Sequence, residues 1–282
     1  MVMSVTESQT TRRDCEGRRR LVLKIGSSTL TAGSERISRG KIEDLARQIL
    51  ALQRDTERPC EVVLVSSGAI AAARQFVAVN QWPALDSKQA MAAVGQPLLM
   101  QMYHEIFRDF GLRTGQCLLT YRDFNNPQAR HNTQTTLNDL LRNGYLPVVN
   151  ENDTVATDEL VFGDNDKLSA YVAALLQADE LILVSDVAGL FDSNPHKNPQ
   201  ARLIERIGRV ADFVHCIDER ESSLGTGGMT SKLQAAEICL RHGIGVRIVN
   251  GDENNFLLKV LSGQLAHSHF VPDCDRRCDP VA

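Results

Sequence analysis

Two lysines sit in contexts that suit phosphate chemistry. Lys24 ends the apolar run Leu21 to Leu23 and is followed by Ile25, Gly26, Ser27 and Ser28. A charged amine at the end of a buried run is costly unless it meets an anion, and a glycine with two hydroxyls lets phosphate oxygens approach the backbone closely. A lone lysine there can also reach solvent along its own stem. Lys232 closes a second stretch, Gly225, Thr226, Gly227, Gly228, Met229, Thr230, Ser231 and Lys232. A helix opening near Thr230 aims free N–H groups and the positive end of its dipole at that loop. Counted from Gly225, Lys232 comes one position too late for the Gly-x-x-x-x-Gly-Lys spacing of a P-loop, so an anion held here is held in another fold. A glycine-rich turn before a helix is by itself weak evidence; two separated lysines are more specific. Together they suit phosphoryl transfer, which needs positive charge around the moving group and little covalent chemistry from the protein.

A third stretch, Asn150 to Ala170, is crowded with carboxylates and asparagines. It could be a solvated loop. Against that, Gly163, Asp164, Asn165 and Asp166 directly precede the apolar positions Leu168, Tyr171, Val172 and Leu175, which pins the polar groups to a helix start. Such carboxylates can hold a substrate ammonium or orient a lysine.

These groups need strands and helices to bring them together. Apolar runs ending in turns predict strands over 21–26, 62–65, 114–120, 145–150, 180–186 and 245–250. Helices follow several of them. Ser38 can cap one whose apolar face is Ile42, Leu45, Ile49 and Leu52; others run over 129–143 and from near Thr230 to Gly243, the last burying Leu233, Ala236 and Leu240. Strands apolar on both faces and alternating with helices imply a mostly parallel sheet covered on both sides, with ligands at the carboxyl ends of its strands. That rule collects Lys24, Gly26, Ser27, Ser67, Asn150, Asp153, Ser185 and Asp186 along one edge, and both lysines are expected at its open side.

Composition narrows the partners. The chain has 282 residues, 43% of them hydrophobic, and a formal charge of -4, which fits a folded globular protein and argues against a nucleic-acid binder. No apolar run reaches the roughly 18 residues of a membrane span. Seven cysteines without a Cys-x-x-Cys pair fit reduced thiols in the cytoplasm better than a disulfide framework, with Cys60, Cys117 and Cys239 in apolar surroundings. Residues 1–19 read as a loose tail; their arginines allow an organellar leader, against which Asp14 and Glu16 count. His267, His269, Cys274 and Cys278 are possible zinc ligands, but their spacing matches no familiar zinc module, and 266–282 is expected to be a polar tail.

The motifs as a set, Lys24 to Ser28, Val65 to Ala72, Lys88 to Gln96, Leu118 to Thr120, Pro147 to Ala156, Phe162 to Ala170, Leu183 to Phe191 and Gly225 to Ala236, resemble the glutamate 5-kinases of the amino acid kinase family, in the family's order over about 20–265. The resemblance implies an α/β fold, a three-layer αβα sandwich around a mostly parallel sheet, with about 20–175 binding glutamate and about 176–265 binding ATP. It implies phosphorylation of the side-chain carboxylate of L-glutamate, the first step of proline biosynthesis. Lys24, Asp166 and Lys232 would be catalytic, with Asp166 orienting the lysines, and Ser67, Asp153 and Asn165 would hold glutamate. ATP would meet Lys24, Gly26, Ser27, Ser185, Asp186 and the loop from Thr226 through Gly227, Gly228, Met229, Thr230 and Ser231 to Lys232. Mg2+ would arrive on the ATP phosphates, proline would inhibit, and the chain would form a homo-oligomer. Two departures stand out: Val161 replaces a basic residue found in many relatives, and too few residues follow Gln264 for the RNA-binding-like PUA domain that many carry. Two alternatives remain, another amino acid kinase acting on acetylglutamate or aspartate, and a catalytically silent metabolite sensor; the joint presence of Lys24, Asp166 and Lys232 speaks against the sensor.

Overall fold

The computed structural model of the protein describes residues 18–76, 88–156, 165–195, 197–216 and 228–272. Within them one sheet contains β1 (Arg19–Ile25), β2 (Cys60–Ser66), β3 (Arg113–Leu119), β4 (Tyr145–Glu151), β5 (Glu180–Ser185), β6 (Arg206–Ile207), β7 (Gly245–Asn250) and β8 (Ser268–Phe270). The helices are α1 (Ser27–Thr31), α2 (Arg39–Arg54), α3 (Ala69–Phe76), α4 (Lys88–Asp109), α5 (Tyr121–Asn125), α6 (Pro127–Arg142), α7 (Asn165–Leu175), α8 (Met229–Arg241) and α9 (Phe256–Leu261). The strand order is β3-β4-β2-β1-β5-β7-β8-β6, parallel except where β8 runs against β7.

Side chains of successive strand residues point to opposite faces, and β1 shows what this does. Leu21, Leu23 and Ile25 join the apolar layer containing Ile42 and Leu45 of α2, Leu99 and Tyr103 of α4 and Leu257 of α9. Val22 joins the other layer, with Leu137 of α6, Leu168 and Val172 of α7 and Leu233 and Ala236 of α8. Lys24, two residues after Val22, therefore faces the α7 and α8 side. This is the αβα sandwich expected from the alternating pattern.

The chain builds outward from β1 on one side through β2 and later β4 and β3, then crosses over to lay β5 on the other side of β1. That reversal leaves a crevice outside the carboxyl ends of the central strands, the usual ligand position in open α/β sheets. Ser38 caps α2 as its sequence position implies, accepting a hydrogen bond from the Lys41 N–H. The sheet also runs past residue 265, where a polar tail was expected. Ser268–Phe270 form β8, because Ser268 and Phe270 are fully buried and the strand pairs with both β7 and β6.

Candidate active site

Asp166, in the first turn of α7, is fully buried and faces two cations. Its Oδ1 lies 2.5 Å from Lys24 Nζ and its Oδ2 lies 3.2 Å from Lys232 Nζ. The Ser231 hydroxyl donates to Oδ2 at 2.8 Å. Burial alone pushes this carboxyl up, but the charges of Lys24 and Lys232, with hydrogen bonds from Lys24 and Ser231, prevail and hold it below the usual carboxylate range. Both lysines line the cleft at the strand edge, as expected, yet they are only 4% and 5% exposed. Each sits among packed side chains, and the shared carboxylate offsets part of the cost of burying two ammonium groups.

A second cluster adjoins the first at the ends of β2 and β4. Asn165 Nδ2 donates to Ser67 Oγ at 2.8 Å, to Asn150 Oδ1 at 2.8 Å and to the Ser66 carbonyl at 3.2 Å. Tyr103, wholly buried in α4, shares a 2.8 Å hydrogen bond with Ser66 Oγ, fixing the end of β2 just before the turn. Gly68 then takes a φ of +109°, a left-handed conformation that favours glycine, and the chain enters α3. Gly95 lets α4 come close beneath: a Cβ there would lie 1.7 Å from the Ala69 carbonyl oxygen. Asp153, after β4, is pushed upward by burial, and among the described residues no side chain pairs with it.

Both clusters open into one cleft of about 580 Å³. Lys24, Gly26, Ser27, Ser67, Asp153 and Asn165 line it, and so do Ser185, Asp186 and Lys232. The structure thus brings together residues from the ends of β1, β2, β4 and β5 and the starts of α7 and α8. Met229, Thr230 and Ser231 form the first turn of α8, with Ser231 turned onto Asp166 and the Gly228 carbonyl. Gly228 caps that helix through its backbone alone. Thr226, Gly227 and Val161 lie outside the described residues, as do Cys274 and Cys278. His267 and His269 are not a metal pair: His267 Nε2 is 3.0 Å from Arg247 Nη1, and His269 faces Glu180 and is depressed to about 4 mainly by burial.

Sequence reasoning missed several wall residues. Arg74, in the last turn of α3, and Lys88 and Gln89, at the start of α4, also line the cleft. All three look like ordinary solvated helix positions, and only the close α3 and α4 pairing brings them to the site. Asn150, which the strand-end rule already places at this edge, and Glu151 line the cleft too, though the resemblance gives neither a role.

Comparison with known proteins gives the family and the fold. The model of the amino acid kinase family matches residues 19–250. The glutamate 5-kinase of Shewanella oneidensis is 44% identical over 257 residues, 89% of this chain and 68% of that protein. The glutamate 5-kinase of Yersinia enterocolitica is 43% identical over 256 residues, 90% of this chain and 69% of that one. Among solved structures, carbamate kinase from Giardia lamblia superposes with a TM-score of 0.64 at 17% identity, over 91% of this chain and 99% of its own. UMP kinase from Ureaplasma parvum gives 0.60 at 18%, over 90% and 99%. Those two share the fold. The chain belongs to the amino acid kinase family, with the glutamate 5-kinases as its sequence relatives.

Proposed function

We propose that the protein transfers the γ-phosphoryl group of ATP to the side-chain carboxylate of L-glutamate. The observation that carries this reading is the pair of buried lysines held on one carboxylate beside a second, amide-lined cluster in the same cleft. A carboxylate oxygen of glutamate attacks the γ-phosphorus, the bond from that phosphorus to the bridging oxygen breaks, and ADP leaves with the bond's electron pair. No proton has to move, because the attacking group is already ionised. The chain's task is to position two anions and to offset the charge that spreads over the transferring group.

Lys24 and Lys232 supply that charge from opposite sides of Asp166. Asp166 keeps the two cations apart and aimed. Ser67, Asp153 and Asn165 hold the amino acid, with the Asp153 carboxylate and Asn165 Oδ1 toward its ammonium. Gly26, Ser27, Ser185, Asp186 and the first turn of α8 hold the nucleotide. Asp186, a carboxylate at the nucleotide end of the cleft, would be the residue to meet a magnesium ion carried on the ATP phosphates, where the ion would offset phosphate charge; Asp166, engaged with two lysines and a serine, is a poor ligand for it. Proline, which also presents an ammonium and a carboxylate, competes for the amino-acid cluster. ATP turnover measured with and without glutamate tests the reading: turnover that does not depend on glutamate sinks it, and an absence of inhibition even at millimolar proline removes the competition.

A further inference from the structure

The cleft wall contains a relay of three amides whose first member does not touch the cleft. Gln96 lies in α4, in the helical layer opposite α7, and is 8% exposed. Asn150 Nδ2 donates to Gln96 Oε1 at 2.8 Å. This spends the amide nitrogen of Asn150 on α4 and turns its Oδ1 the other way, where it accepts from Asn165 Nδ2 at 2.8 Å and from the Glu151 N–H at 2.9 Å. Asn165 Nδ2 is in turn occupied on that side by Asn150, Ser67 and the Ser66 carbonyl. Its Oδ1 is buried and without a hydrogen-bond partner among the described residues, while Asn165 itself lines the cleft.

A buried carbonyl oxygen without a donor is costly, so its persistence at a cleft wall points to a donor that arrives with the ligand. An amide can present either its oxygen or its NH2 in nearly the same volume. Which one Asn165 presents is decided by what Asn150 offers, and that is decided by Gln96. If residue 96 cannot accept, Asn150 is free to turn its NH2 toward Asn165. Two NH2 groups then face each other, and the escape is for Asn165 to turn as well, presenting NH2 where an oxygen is needed. We infer that Gln96 is a positioning residue for the amino-acid ammonium, acting through Asn150 to keep Asn165 Oδ1 turned to the cleft. The inference rests on the assignment of Asn165 to the substrate ammonium made above.

Gln96→Met keeps the length of the side chain and removes the acceptor; Gln96→Glu keeps the acceptor. Steady-state kinetics of both, with Asn165→Ala alongside, separate the possibilities. The Met variant should raise KM for glutamate about tenfold, as expected for a charge-assisted contact turned unfavourable, with KM for ATP unchanged and kcat within about threefold. The Glu variant should return KM for glutamate close to that of the unmodified protein. Merely loosened packing would move both KM values and kcat together, and would not be rescued by Glu. A Met variant with unaltered glutamate KM, or a Glu variant as impaired as Met, overturns the relay. If Gln96→Met does not fold, the Glu variant alone still decides, since an impaired glutamate KM in it contradicts the inference. Unaltered glutamate KM in Asn165→Ala would instead remove the underlying assignment of Asn165, and the relay's role with it.

Discussion

Lys24 and Lys232 share a single carboxylate: one approaches Oδ1 of Asp166 to 2.5 Å and the other Oδ2 to 3.2 Å. The three side chains come from β1, α7 and α8, so the starts of two helices and the end of the central strand are tied at one point. Two ammonium groups meet one carboxylate there, and both lysines line the cleft. An anionic phosphoryl group moving between two substrates is the kind of ligand that such a charge favours.

Asp166→Asn leaves two buried ammonium groups without their counter-charge. Removing one partner of a buried ion pair costs about 3–5 kcal/mol, so the denaturation midpoint should drop clearly. Catalysis should fall with it, by about 10² in kcat, if aiming the lysines matters as proposed. Denaturant titration with steady-state kinetics checks both; an Asn variant as stable as the parent would remove the shared pair from the account.

Lys24→Ala and Lys232→Ala should each lower kcat by about 10² or more. Because both lysines are buried, each substitution should also destabilise the protein, less than Asp166→Asn does, since the remaining lysine still pairs with the carboxylate. Near-parent kcat in either variant would take that lysine out of the mechanism.

The two site carboxylates should respond to pH in opposite ways. Asp166 is held low in the folded protein, so its contribution to stability is present above the unfolded value of about 3.9 and is lost as pH falls through its lower folded value. Asp153 is raised by burial. The folded state therefore holds its proton longer, and stability is lost as pH rises from the unfolded value to the raised folded one, above which the loss stays constant. Asp153→Asn should accordingly be more stable than the parent at neutral pH, show no such gain below about pH 3, and bind glutamate less well. Equal thermal midpoints at neutral pH would contradict the direction given for Asp153.

Gly95→Ala tests the contact that brings α3 and α4 to the cleft. The added methyl would meet the Ala69 carbonyl, which backbone movement alone can relieve, at about 3 kcal/mol or more. Since Ala69 and Ile70 line the cleft, glutamate KM should rise as well. A variant with unchanged stability would show that the helices are not held this closely.

Much of this was legible because the central strands are apolar runs that end in glycine, serine or asparagine. The rule that ligands gather at strand ends draws Lys24, Ser67, Asn150, Asp153 and Ser185 together from the sequence alone. The burial of the lysines was not legible, since it depends on Asp166 arriving from α7 to meet residues distant in sequence on either side. β6 and β8, of two and three residues, are too short to show a period of two, and so β8 read as tail. Gln96 lay within a quoted motif, yet its partner Asn150 is set by how α4 lies against the sheet. Arg74 carries no local mark that separates it from solvated helix cations, and Lys88, although it opens the motif Lys88 to Gln96, reaches the cleft only through the packing of α3 on α4.

The central claim is most directly tested by the product. Glutamyl 5-phosphate carries its own α-amine within reach of the activated carbonyl, so without a trapping agent it should cyclise to 5-oxoproline and release phosphate. N-acetylglutamate lacks the ammonium that Asp153 and Asn165 are proposed to receive, and aspartate is one methylene too short to span from that site to the γ-phosphoryl. Following ADP and 5-oxoproline with each of the three acids and MgATP should show the two products rising together with glutamate and little ADP with the others. Faster turnover of N-acetylglutamate than of glutamate, or ADP formed from glutamate without 5-oxoproline, would contradict the account.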